Sequence, residues 1–170
     1  MVSIFIIIKN FLKYLNSKES VENIALSFTI AYIFTLIPFN FIVHPILLFL
    51  LIILNGNILI FIFLAPLFSF ISNPFVIHLH NLGTTALTST KLLNVFVFLS
   101  SIPLLNYTNW NNTLSMGAYI ISIITAAPFY FVIKKILTSY RLNILPKIKN
   151  SKFLAIFKIP KWIKYIIGQS

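Results

Sequence analysis

Residues 41–74 read FIVHPILLFLLIILNGNILIFIFLAPLFSFISNP. Two apolar runs, 41–54 and 58–71, flank the turn signal Asn55-Gly56-Asn57, and the second stops at Ser72-Asn73-Pro74. Neither run holds a charge, and each has its own proline, Pro45 and Pro66. A straight membrane-spanning helix takes roughly 20 apolar residues, and these pieces supply about 14 each. Two readings stay open. Either the helices are broken and continue through the polar breaks, or some are re-entrant halves that meet inside the membrane. Irregular backbone survives at that depth only where protein or a wet cavity satisfies it.

The same grammar extends in both directions. Asn16 with Glu19 three residues on predicts a capping box for a helix running to Ile37, with Glu22 in its first turn, where the helix dipole favours negative charge. Pro38 interrupts that run. A lysine at the bilayer centre costs about 2.5–3.5 kcal/mol on insertion scales, so Lys91 predicts a break at an interface, after which 92–105 crosses back. Residues 106–112 carry no charge but hold Tyr107 and Trp110, the signature of an outer loop at a membrane interface. A span follows over about 113–137, closing on Lys134, Lys135 and Arg141. By the positive-inside rule these basic residues, with Lys9, Lys13 and Lys18, put both termini in the cytoplasm. The number of crossings is then even, four or six.

Composition agrees. Of 170 residues, 59% are hydrophobic and 9% charged, against about a quarter charged in a soluble domain. So little charge could not cover a surface in water. The expected class is an all-α integral membrane protein of four to six segments, several broken by proline or re-entrant. Thirteen basic residues face two acids, for a formal net charge of +11. The basic residues gather at the ends beside apolar stretches, which points to anionic lipid headgroups rather than nucleic acid.

Three units are expected. Residues 1–16 form an interfacial amphipathic helix, with Ile4, Phe5, Ile8, Phe11, Leu12 and Leu15 opposite Lys9, Asn10, Lys13 and Asn16. Residues 17–141 form the multi-pass domain. Residues 142–170 form a basic amphipathic tail in which Lys158, Lys161 and Lys164 share one face and Trp162 lies on the other, suited to an anionic membrane surface. Residues 1–8 lack a basic leader, so no cleaved signal peptide is expected.

Catalysis has little to work with. An enzyme gathers titratable groups in one place, and Glu19 and Glu22 are the only acids. There is no cysteine and no glycine-rich phosphate loop. His78-x-His80 would need His44 as a third ligand, with no acid or thiol beside them, a thin basis for a zinc set of three or four ligands. No catalytic residue, metal or cofactor is therefore expected. What remains is a polar set within apolar surroundings: Pro38, Asn40, His44, Asn57, Asn73, Pro74, His80 and Asn112, with Asn55 and His78 nearby. Polar groups kept in lipid face a cavity or a partner helix. Both a polar passage or headgroup site and plain helix-to-helix bonding fit them.

The motifs in order resemble a known family. Ser20-Val21-Glu22-Asn23-Ile24-Ala25-Leu26-Ser27-Phe28 is similar to Ser-Pro-x-x-Ile-Ala-Leu-Gly-Phe. Leu36-Ile37-Pro38, Asn57, Asn73-Pro74 with His80 and Leu82-Gly83, Asn111-Asn112-Thr113 and Met116-Gly117 follow at matching places. Over about residues 20–141 the chain resembles the uncharacterised family of small bacterial inner-membrane proteins classed as domain of unknown function 2062. It departs at Val21, where the family has proline, and at Ser27 and Tyr32, where it has glycine. The resemblance implies the inner membrane of bacteria with two membranes. It also implies a gene neighbour of the AsmA-like type, a large envelope protein that bridges the membranes and moves lipid.

The functional expectation is a non-enzymatic inner-membrane component of envelope lipid handling that anchors, or opens a lipid route for, the AsmA-like protein. A small-solute transporter or channel is the alternative, and a pore-forming lysis protein a third class. Transporters commonly rely on intramembrane carboxylates or paired broken helices. This chain has the breaks without the acid.

Overall fold

The computed structural model describes residues 19–144, all of whose regular elements are helical. The interfacial helix expected over 1–16 and the surface residues Lys158, Lys161, Trp162 and Lys164 lie outside them. Helix α1, Val21–Leu36, is capped by Ser20, whose hydroxyl accepts from the Asn23 amide at 3.1 Å. Glu22 occupies the first turn as expected. Ser20 rather than Asn16 is the cap of this helix; Asn16 lies outside the described residues, and Glu19 reaches the cap of another helix, as described below. Pro38 excludes the α region for the residue before it, so Ile37 is extended and α1 ends there.

Helix α2, Val43–Ile53, turns back along α1 and ends in the Asn55-Gly56 turn. Asn55 adopts φ 55°, the left-handed conformation that asparagine tolerates better than most residues. Asn57 then caps α3, Ile58–Ser72, accepting from the Ile60 amide at 2.9 Å. At Ser72-Asn73-Pro74 the helix continues through the polar break, one of the two readings the sequence left open. The chain tightens into one 3-10 turn, Asn73–Phe75, and continues as α4, Val76–Leu87. Pro74 sits in the first positions of that turn, where its missing N–H is not needed. The composite helix Ile58–Leu87 has 30 residues, about 45 Å at 1.5 Å per residue.

The segment 92–105 does not form the single long helix that its apolar character predicted. After a 3-10 turn, Thr90–Leu92, it forms α5, Leu93–Ser100, and α6, Pro103–Asn106. Eight residues of helix reach about 12 Å, well short of a bilayer's roughly 30 Å core. Ser101-Ile102-Pro103 reverses the chain instead. Asn112 caps the last described helix, α7, Thr113–Ser139, whose final turn loosens into a π-turn, Tyr140–Ile144.

Contacts across the helices fix their directions. Ser27 meets Asn57 and Thr35 meets Ser72, so α1 and α3 run parallel. Glu22 meets Lys134 and Tyr32 meets Thr125, so α7 runs against them. The closest approach joins α4 to α7. A Cβ added to Gly83 would overlap the Thr113 carbonyl and come within 2.8 Å of the Gly117 amide nitrogen, and one added to Gly117 would overlap the Leu79 carbonyl. Backbone lies on backbone there, the contact that small residues permit between helices.

The bundle thus has a Glu19 end and an Asn40 end. Its core is thin: Ile24, Ala25, Ala31, Leu51 and Ile60 are almost fully covered, with a second cluster of Leu36, Ile37, Leu79 and Ala118. Two helices, Ile58–Leu87 and Thr113–Asn143, are long and apolar enough to cross a membrane. Only 17% and 22% of their most apolar stretches is buried, so neither is enclosed as the core helix of a water-soluble domain would be.

Candidate functional site

The polar residues picked out by sequence do not converge on one place. Asn40 and His44 mark the Asn40 end. The Asn40 carboxamide oxygen accepts from the Ile42 and Val43 amides at 2.9 and 3.0 Å, starting α2. Its nitrogen donates to the Tyr107 carbonyl at 2.8 Å, and its backbone N–H donates to His44 Nδ1 at 3.2 Å. The His44 ring packs edge-on to Phe34, 4.3 Å between centroids. Both residues are buried and bonded within the protein, with Pro38 half-exposed beside them.

Asn57 works at the opposite end. Beyond capping α3, its Nδ2 donates to both Glu19 carboxylate oxygens at 2.8 and 2.7 Å, and its backbone N–H donates to Ser27 Oγ at 2.6 Å. Glu22 pairs with Lys134 at 3.0 Å, and Arg141 donates to the Glu19 carbonyl at 2.6 Å. The Glu22–Lys134 pair is open to solvent and screened, so it orients more than it stabilises. Both acids of the chain are thus engaged in holding helices together.

His80 lies on α4, its Nδ1 2.7 Å from the Thr113 hydroxyl. Asn112 accepts from the Leu114 and Ser115 amides as the α7 cap. Asn73 and Pro74 are exposed and, with His80 and Leu114, edge a shallow groove on one face of α4. Among the described residues no three His, Asp or Glu side chains come together to hold a metal ion.

Asn40 can be tested directly. Asn40→Ala frees two amides and a carbonyl in a buried setting, and an orphaned buried group costs about 1–3 kcal/mol. We expect lower thermal stability and faster proteolysis of the 106–112 loop. Asn73→Ala, at an exposed position, should stay within about 0.5 kcal/mol of the parent. Equal effects from the two would refute the assignment.

One concavity stands apart from these bonded groups. A half-enclosed cleft of about 300 Å³ opens where α1, the α3–α4 turn and α7 diverge. Tyr32, Leu36, Phe68, Phe75, Leu82 and Ile121 make its apolar walls, and Ser72 and His78 are its polar members. Tyr32 is held in place: its hydroxyl lies 3.0 Å from Thr125 Oγ1, its ring stacks on Phe129 at 4.6 Å, and Phe68 meets it edge-on at 6.2 Å. The phenol is spent on α7, so the cleft offers an occupant hydrocarbon surface with polar contact at Ser72 and His78. No nucleophile is paired there with a base.

Sequence reading passed over Ser20 as a cap and Tyr32 and Phe68 as cleft walls. Ser20 was within reach, being a serine directly before an apolar helix. Aromatics in an aromatic-rich chain carry no such mark. Against known proteins, no family model, no curated sequence and no solved structure matches the chain.

Proposed function

We propose that this chain is a non-enzymatic, multi-pass component of a bacterial inner membrane that handles lipid, anchoring a larger AsmA-like envelope protein or opening a lipid route for it. The observation that carries the reading is the apolar cleft between α1, the α3–α4 turn and α7. A route for lipid has to accept an acyl chain from the side, and hydrocarbon walls with few polar groups are the chemistry for it. Two helices of spanning length whose apolar sides are left uncovered supply the setting. Lys134, Lys135 and Arg141 cluster at the Glu19 end, which the positive-inside rule assigns to the cytoplasm. The likeness of residues 20–141 to the inner-membrane family supports the location and the partner. A transporter draws less support, because Asn40, Asn57 and His80 lie at separate places and both acids are tied up at one end.

The test uses the whole chain extracted with its surrounding lipid by a polymer. The parent is expected to carry phospholipid in native mass spectra and to co-purify with a large envelope protein. Leu82→Trp, which fills the cleft, should lose bound lipid severalfold with helix content unchanged. A parent recovered with neither lipid nor partner would sink the reading.

A further inference from the structure

We infer that the arm formed by residues 90–106 is a one-leaflet anchor, immersed in the acyl chains of the leaflet at the Asn40 end of the bundle. It rests on the reading of Ile58–Leu87 and Thr113–Asn143 as membrane spans. Three independent features carry it.

The first is unpartnered hydrocarbon. No residue of Thr90–Leu92, Leu93–Ser100 or Pro103–Asn106 is buried. Leu93, Val97, Phe98 and Leu104 are each at least 60% exposed. With Leu92 and Val95, also exposed, the three on the helical stretch Thr90–Ser100 lie round it rather than on one stripe, and a helix with apolar residues on all sides belongs inside something.

The second is how the arm satisfies its own backbone where it is not regular. Ser100 Oγ donates to the Phe96 carbonyl at 2.8 Å, Ser101 Oγ to that of Phe98 at 2.6 Å, and Asn106 Nδ2 to that of Ser100 at 3.3 Å. Backbone amides of Ser101, Ile102, Leu105 and Tyr107 bond the carbonyls of Val97, Leu99, Ile102 and Leu104. In water such carbonyls form local bonds of this kind too, but solvent can stand in where they fail. In hydrocarbon they must be bonded internally, each failure costing several kcal/mol.

The third is the pair of roots. Lys91 stands at one and Tyr107 and Trp110 at the other, and the Phe96 ring stacks on Trp110 at 5.6 Å. Basic and aromatic residues sit at headgroup level, so both roots lie at the interface and the Ser101-Ile102-Pro103 reversal lies deeper. The arm holds no other charge.

The chain has no cysteine, so single spin labels at Phe98→Cys, Ile123→Cys and Asn109→Cys can be read in phosphatidylethanolamine–phosphatidylglycerol vesicles. Collision with oxygen reports lipid, and collision with a nickel chelate reports water. Ile123, 78% exposed on α7, is the span reference, and Asn109 is the water reference. Position 98 is expected to match 123, with nickel access severalfold below that at 109. If 98 behaves like 109 while 123 reads lipid, the arm lies in water and the inference fails alone. If 98 is shielded from both reagents, protein covers it, a second copy or another chain, and the inference again fails. If 123 itself reads water, the membrane reading falls and takes the arm with it.

Discussion

Gly83→Leu or Gly117→Leu is expected to drive α4 away from α7 and unfold the bundle, and alanine at either position should already be severely destabilising. The first carbon of any side chain at Gly83 would overlap the Thr113 carbonyl, and at Gly117 the Leu79 carbonyl. Overpacking typically costs about 1–3 kcal/mol when side chains can shift. Here the obstacle is helix backbone on both sides, which puts the expected loss at or above about 3 kcal/mol. Gly56→Ala is the contrast. Its new methyl meets chiefly the flexible end of the Leu51 side chain, with the Leu51 carbonyl at 3.1 Å, so a smaller loss is expected. The two large effects should not add in the double variant, because both glycines serve one contact. Denaturant titration in detergent, followed by circular dichroism, measures each variant. Parent-like stability of Gly83→Ala would mean that the crossing is looser than described.

Cysteines placed at 91 and 109 are expected to react with an impermeant maleimide from one side of the membrane, and one at 135 only from the other. The reasoning is geometric. Ile58–Leu87 is one uninterrupted run that starts beside Glu19 and passes Thr113 at Gly83. Lys91 follows within a few residues of its far end. Asn109 lies between Tyr107, bonded to Asn40, and Thr113. Lys135 stands beside the Glu22–Lys134 pair at the Glu19 end. The layout drawn from hydropathy put Lys91 and Asn109 on opposite faces, because 92–105 is apolar enough to pass for a span. Labelling of 91 and 109 from opposite sides would restore that layout and remove the anchoring arm.

Helical class and the two breaks at Pro38 and Asn55-Gly56-Asn57 were legible, since each follows from local chemistry: apolar runs, proline geometry, turn residues. At Asn73-Pro74 the sequence left open whether the helix continues or stops, because proline ends a helix from within but opens a turn from its first positions, and sequence alone does not say which position it holds. The polar set was likewise left open between a polar passage and helix-to-helix bonding. Asn57 and Asn112 each stand directly before an apolar run, the mark of a cap, and Asn40 does the same work two residues earlier. Their expense in an apolar setting is met within their own neighbourhood. The cleft left no trace in the sequence. It arises from the divergence of three helices whose walls are ordinary leucine, isoleucine and phenylalanine.

The bond between Arg141 and the Glu19 carbonyl joins residues 122 apart. During synthesis, a ribosome that has delivered everything through Asn112 has made helices α1 to α6 without the strip that covers Gly83, the hydroxyl partner of Tyr32 or the cation for Glu22. Such a nascent chain carries a raw flank where α7 belongs. Helix α7 therefore acts as a latch, and molecules that stop short of it are marked as unfinished by the surface they leave bare, which membrane proteases can read without any dedicated signal.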